Sequence, residues 1–120
     1  MADRVLFMSW RTVVRGREER ALEVFNETLG LYGRMQQEGR IERFDVVLLE
    51  PNGELGGYIV LHGSSAQLAA VREADDYRRA LVDAELAVEG MRVVEGATDA
   101  GLAHEIQLFQ DGIAALPQRV

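Results

Sequence analysis

Two short runs carry the side chains best suited to chemistry: Arg43 and Asp45 in the first, Tyr58 and His62 in the second. Even spacings place the members of each pair on one face of a β-strand. Between the runs lies Pro51-Asn52-Gly53-Glu54, a turn signal flanked by β-branched segments. A four-residue loop that starts at Pro51 brings Glu50 opposite Leu55, and then Arg43 stands directly opposite His62. Asp45 neighbours both. An imidazole oriented by a carboxylate beside a guanidinium can act as acid or base on a bound anion. Ser9 and Arg11 join the same face if the first strand lies alongside. The competing reading is that these groups satisfy one another at the rim of a protein interface. That reading is the stronger, because a position on a fold does not by itself establish a site.

Other chemistries lack their residues. The chain has no cysteine, which removes thiol catalysis and thiolate metal sites, and no lysine, which removes a side-chain Schiff base. Its two histidines, His62 and His104, cannot form a three-histidine site, and no metal-binding spacing surrounds them. Glu19, Glu23 and Glu27 share a helix face, yet without a histidine or a rigid loop they read as a solvated face. Gly53, Gly56 and Gly57 fall within a hairpin rather than before a helix, so they form no phosphate loop. No metal, haem or flavin is expected. A net charge of -7 argues against nucleic acid as a partner, despite Arg11, Arg15, Arg17 and Arg20.

The elements that must position these residues follow from periodicity. Residues 5–14 alternate as a strand, with Leu6, Met8 and Trp10 on one face and Val5, Phe7, Ser9, Arg11 and Val13 on the other. A helix over residues 17–38 carries Leu22, Phe25, Leu29 and Tyr32 as its apolar stripe. Gly30 and Gly33 within it mark close packing or a weak last turn. The hairpin follows, over residues 41–63. Ser64 and Gln67 have capping-box spacing. Two stripes displaced by one residue then predict two helical pieces with a break at residues 74–76, the second capped by Asp75 or Asp76 and ended by Gly90. Residues 91–97 form the fourth strand. Thr98 or Asp99 opens a last helix with Leu102, Ile106, Phe109, Ile113 and Leu116 at spacings of four and three. The order is β-α-β-β-α-β-α, and its first six elements match the split βαβ pattern of ferredoxin-like folds. Right-handed crossovers give a four-stranded antiparallel sheet of order 4-1-3-2, with both helices on one face. A chain of 120 residues suits one α+β domain over residues 1–120. No apolar run reaches the about 20 residues of a membrane span, and residues 1–10 lack a signal peptide's pattern, so a soluble cytoplasmic protein is expected.

In this element order the chain resembles the dimeric α/β-barrel superfamily, which includes small antibiotic-biosynthesis-type monooxygenases, haem-degrading enzymes and YCII-like proteins. The segment from Gly53 to Tyr58 leading into Ser64, Ser65 and Ala66 is similar to the glycine-rich hairpin of YCII-like proteins. The segment from Asp75 to Ala80 is similar to their Asp-Pro-Phe stretch, with Asp76 in place of proline. The histidine of their first helix is absent, and neither the Trp10 position nor the two histidines fit the haem-degrading set. The resemblance implies a homodimeric α+β barrel and, by analogy with the monooxygenases, a substrate pocket between helices and sheet. Trp10, Phe44, Tyr32 and Tyr77 would line it, although only apolar residues claim that space and a filled core is expected. The open sheet face carries Val5, Phe7, Val13, Val47, Leu49 and Val60, too much apolar surface for a monomer. The leading reading is a small homodimeric barrel protein of unassigned biochemical role. The alternatives are a cofactor-free monooxygenase or isomerase acting on an aromatic or polyketide-like molecule, and a noncatalytic module binding a small ligand.

Overall fold

The computed structural model describes residues 2–117. Strand β1 (Arg4–Trp10) lies between β4 (Gly57–Gly63) and β6 (Arg92–Ala97), and β3 (Arg43–Leu48) pairs with β4 at the edge. The order β3-β4-β1-β6 is the predicted 4-1-3-2 read from the other side, and all pairings are antiparallel. The fold is the ferredoxin-like α+β arrangement, completed by α1 (Glu18–Gln37), α2 (Ser65–Glu73), α3 (Asp75–Glu85) and a last helix, α4 (Asp99–Ala115). The register matches the four-residue loop, with Arg43 opposite His62 and Leu48 opposite Gly57. Asn52 builds the turn. Its side-chain amide donates to the carbonyls of Glu50 and Leu55 at 2.9 and 2.7 Å, and its Oδ1 accepts from the backbone of Glu54 and Leu55. Gly53 supplies the positive φ of +80° that the turn requires.

The predicted first strand is broken. Beyond Trp10 the chain bends at Arg11, and Thr12–Val13 (β2) forms a second small sheet with Val88–Glu89 (β5). The Arg11 N–H donates to the Glu89 carbonyl and that of Val14 to Ala87. Val13 therefore leaves the open face to which alternation assigned it and lines the helix–sheet cavity. Gly90, at φ +70°, turns the chain from β5 into β6 rather than ending a helix.

Helix α1 buries part of the predicted stripe, Tyr32 fully with Phe25 and Leu29 half-buried, together with an adjacent row. Val24, Leu31, Tyr32 and Met35 face the core, while Leu22 is 62% exposed. Thr28 lies in the buried row, so a search for apolar residues alone selects its neighbour. Gly33 has no atom within 4 Å of a would-be Cβ and Gly30 only the tip of Arg34, so close packing accounts for neither. Ser64 caps α2 through the full reciprocal capping box with Gln67. The helical break falls at Ala74, whose ψ of 138° ends α2 and starts α3. No side chain caps α3. Asp76, expected as a cap, instead binds Arg40 through two hydrogen bonds of 2.7 and 3.0 Å and accepts from the Tyr77 N–H. Thr98 is the N-cap residue of α4, also without a side-chain hydrogen bond.

The Arg40–Asp76 pair ties the loop after α1 to the start of α3. The Arg40 hydrogen bonds hold the Asp76 carboxyl below its usual range. A depressed folded-state value means that the stabilisation is complete above the unfolded value, near 4, and fades as pH falls through the folded one. Both side chains are partly exposed, so Asp76→Asn should cost about 1 kcal/mol at neutral pH. Thermal melts should show the difference at pH 7 and lose it by strong acid.

The core lies between the sheet and α1 to α3, around Leu6, Met8, Leu61, Leu68, Val71 and the two buried tyrosines Tyr32 and Tyr77. Among the described residues no helix is long and apolar enough to cross a membrane.

Candidate functional site

Two places in the fold hold the residues singled out from sequence. One is the open face of the sheet. Cross-strand pairing brings His62 beside Arg43, and the side chain of Asp45 reaches both. His62 Nε2 lies 2.9 Å from Asp45 Oδ2, and Arg43 Nη1 lies 3.0 Å from the same oxygen. The carboxylate can only accept, so Nε2 donates in this bond and Nδ1 lies on the other side of the ring. That Nδ1 is buried with no hydrogen-bond partner among the described residues. The imidazole is thus oriented, but its free nitrogen faces protein rather than a cleft. Tyr58 and Arg11 do not join the group. The Tyr58 ring lies against Phe7, with centroids 5.2 Å apart, and Arg11 pairs with Glu89 at 2.6 Å.

The other place is the space between helices and sheet. It is not filled, contrary to expectation: a cavity of about 310 Å³ opens there. Strand β1 contributes Met8 and Trp10, α1 contributes Leu22, Phe25, Thr28 and Tyr32, and α3 contributes Ala80, Leu81 and Ala84. Small residues on α3 leave the room that larger side chains would close. The Trp10 and Phe25 rings meet edge to face at 6.1 Å. The polar members of the lining are Ser9, Glu18 and Thr28.

Of the four predicted lining residues, Trp10 and Tyr32 reach the cavity, whereas Phe44 and Tyr77 support it from behind. Phe44 packs edge to face on Tyr32 at 6.0 Å. Tyr77 is fully buried, and its hydroxyl and that of Tyr32 both point at the Met8 sulfur, at 3.6 and 3.3 Å. Burial pushes the Tyr77 hydroxyl up to about 12, and burial together with the neighbouring Tyr77 raises Tyr32 further. Both remain neutral donors at any physiological pH and cannot serve as bases. Thr28 and the alanines of α3 were missed from sequence. The signal available was the row of small residues Ala80 and Ala84 facing a row interrupted by a threonine.

Two glycines set the position of Trp10. A methyl group on Gly57 would sit 2.6 Å from the Val47 carbonyl oxygen and 2.8 Å from Cζ2 of Trp10, and one on Gly56 would sit 3.1 Å from Trp10 Nε1. The indole lies on the bare backbone of the hairpin. Among the described residues, no group of three histidine or carboxylate side chains is placed to hold a metal ion.

Several solved structures share this fold. A dimeric ferredoxin-like protein from Bacteroides fragilis superposes with a TM-score of 0.60 at 12% identity, covering 79% of this chain and 96% of its own. A dimeric ferredoxin-like protein from Jannaschia sp. CCS1 gives 0.63 at 14% identity, covering 79% and 98%. SnoaB, a cofactor-independent oxygenase from Streptomyces nogalater, gives 0.51 at 14% identity, covering 82% and 93%. No protein-family model and no curated protein matches the chain.

Proposed function

We propose that the chain is a homodimeric α+β-barrel protein whose helix–sheet cavity takes a small aromatic molecule without a resident cofactor. The cavity of about 310 Å³ carries this reading. An apolar cavity of about 150 Å³ holds one benzene ring, so this one suits two fused rings. Trp10 and Phe25 offer ring faces and edges to such a ligand, and Thr28 offers one hydroxyl to orient it. The lining holds no cation, and its one carboxylate is Glu18, which favours a neutral ligand over an anion.

The dimer rests on the open sheet face. Val5, Phe7, Val47 and Val60 lie there half-buried, and Val94 is 54% exposed beside them. Two of the similar structures are described as dimeric, in keeping with a face that needs cover.

Trp10 is the chain's one tryptophan, so its emission reports the cavity directly. Titration with two-ring phenols and ketones should quench it saturably, with one ligand per chain. Thr28→Phe, which fills the cavity, should abolish that response. Linear, unsaturable quenching, or saturation unchanged by Thr28→Phe, removes the pocket reading. Oxygen uptake dependent on the bound ligand would extend the function to cofactor-free oxygenation, the activity named for SnoaB. Binding without uptake leaves a carrier or sensor site.

A further inference from the structure

Helix α4 combines the most apolar composition of the four helices with the least burial, since none of its residues is buried. Leu102, Ile106 and Phe109 recur at spacings of four and three, and Phe109 is 70% exposed. Three ties to its own chain sit at its base. Thr98 N–H donates to the Asp3 carbonyl at 3.0 Å, Gly101 lies close against the same oxygen, and Arg4 pairs with Glu105 at 3.4 Å. A helix of 17 residues owes most of its stability in water to an apolar face laid on a neighbour. Its spacing, that of a helical packing seam, calls for a surface to lie on.

A second uncovered apolar surface lies at the mouth of the cavity. Leu22 on α1 and Leu48 at the end of β3 line it and are 62% and 67% exposed. The chain's own α4 is badly placed to cover them, because it follows β6, and β3 and β6 are opposite edges of the sheet. Its base also lies beside Arg4, at the far end of the strands from Leu48. A second copy removes the difficulty. When two sheets meet face to face about a two-fold axis running along their strands, the β6 edge of one overlies the β3 edge of the other. From there a helix of 17 residues, about 25 Å long, spans the about 20 Å length of the strands.

We propose that α4 is an exchange arm: in the homodimer it lies along the β3 edge of the second copy with Leu102 and Ile106 turned toward that edge, and sets Phe109 at Leu22 and Leu48, closing that copy's cavity. The inference rests on the homodimer proposed above. Each ligand site is then completed by the other chain, and β3 no longer presents an open edge for unwanted pairing.

The cysteine-free chain permits a direct test. Full-length Phe109→Cys and Leu48→Cys chains, carrying different tags, are unfolded together, refolded and treated with a short bis-maleimide. The expected product is a mixed covalent dimer, formed at least about tenfold faster than with His104→Cys, on the opposite side of α4, because docking raises the local thiol concentration. Three outcomes overturn the arm: Phe109→Cys linking to itself faster than to Leu48→Cys, closure within single chains that carry both substitutions, or no linkage in protein that light scattering shows to be dimeric. A monomer by light scattering removes the homodimer and the arm together, so the two failures are distinguishable.

Discussion

On the homodimer proposed above, replacing Val47 and Val94 with aspartate should yield a folded monomer. Both side chains lie on the open sheet face, Val47 across from Tyr58 and Val94 across from Phe7. In a face-to-face dimer the sheets stand about 10 Å apart, which leaves no water for a carboxylate between them. A charge buried without a partner costs about 3–5 kcal/mol, and each substitution occurs twice in a symmetric pair. Every 1.4 kcal/mol is a factor of ten, so association should weaken by at least about a thousandfold. Val60 is a poorer choice, because aspartate there would face Asp45 directly and destabilise the single chain through like charge. Val94 is already 54% exposed, so its change leaves the isolated fold nearly untouched. Sedimentation at micromolar concentration measures the state, and far-ultraviolet circular dichroism checks the fold. The threonine pair, similar in shape and uncharged, should remain dimeric. A dimer that survives both aspartates excludes this face.

The order of the four main strands and the helices, the strand order of the main sheet and the hairpin register are all legible in the sequence, whereas the small β2–β5 sheet is not. They depend on signals with local causes: alternation over six or seven residues, the Pro51-Asn52-Gly53 turn, the Ser64–Gln67 capping box and the stripe shift at Ala74. What was not legible depends on which side of an element meets its neighbour. Helix α1 carries two adjacent rows, and the row containing Thr28 faces in together with Phe25, Leu29 and Tyr32 of the predicted one, while Leu22 stays exposed. Nothing in the helix itself distinguishes them, because the choice belongs to α3 and the cavity. Asp76 has a capping residue's identity, but it falls at the second helical position after the Ala74 N-cap, and Arg40 claims both its oxygens.

The candidate site divides in the same way. Arg43, Asp45 and His62 come together because strand pairing is a one-dimensional rule that fixes neighbours from register alone. Tyr58 follows the same register, but its ring finds Phe7. Arg11 departs because the strand bends there. The cavity is a volume left over after packing, and such a remainder cannot be read from alternation. Alanines at 80 and 84 look like ordinary helix formers until Trp10 and Phe25 are seen opposite them.

Gly57→Ala should cost about 2–3 kcal/mol of folding stability, toward the upper end for one added methyl in a packed site. Two contacts make the site severe. The Trp10 ring at 2.8 Å can tilt away, but the Val47 carbonyl oxygen at 2.6 Å belongs to the paired strand β3 and moves only with its ladder. Glycine's own flexibility does not explain the residue, since Gly57 is not among the positions of positive φ. What it provides is the missing side chain that lets Trp10 lie on the hairpin. The substitution should therefore have two separable effects. Chemical denaturation should show the stability loss, and the emission of Trp10 should shift as the ring is driven toward the cavity it lines. Ligand binding should weaken in the same variant. Trp10→Phe in the same chain shortens the ring and should recover only the part of the loss due to the indole, because the clash with the carbonyl remains. Full recovery would show that the backbone of β3 yields freely, and no loss in Gly57→Ala alone would show that the indole does not rest on this glycine at all.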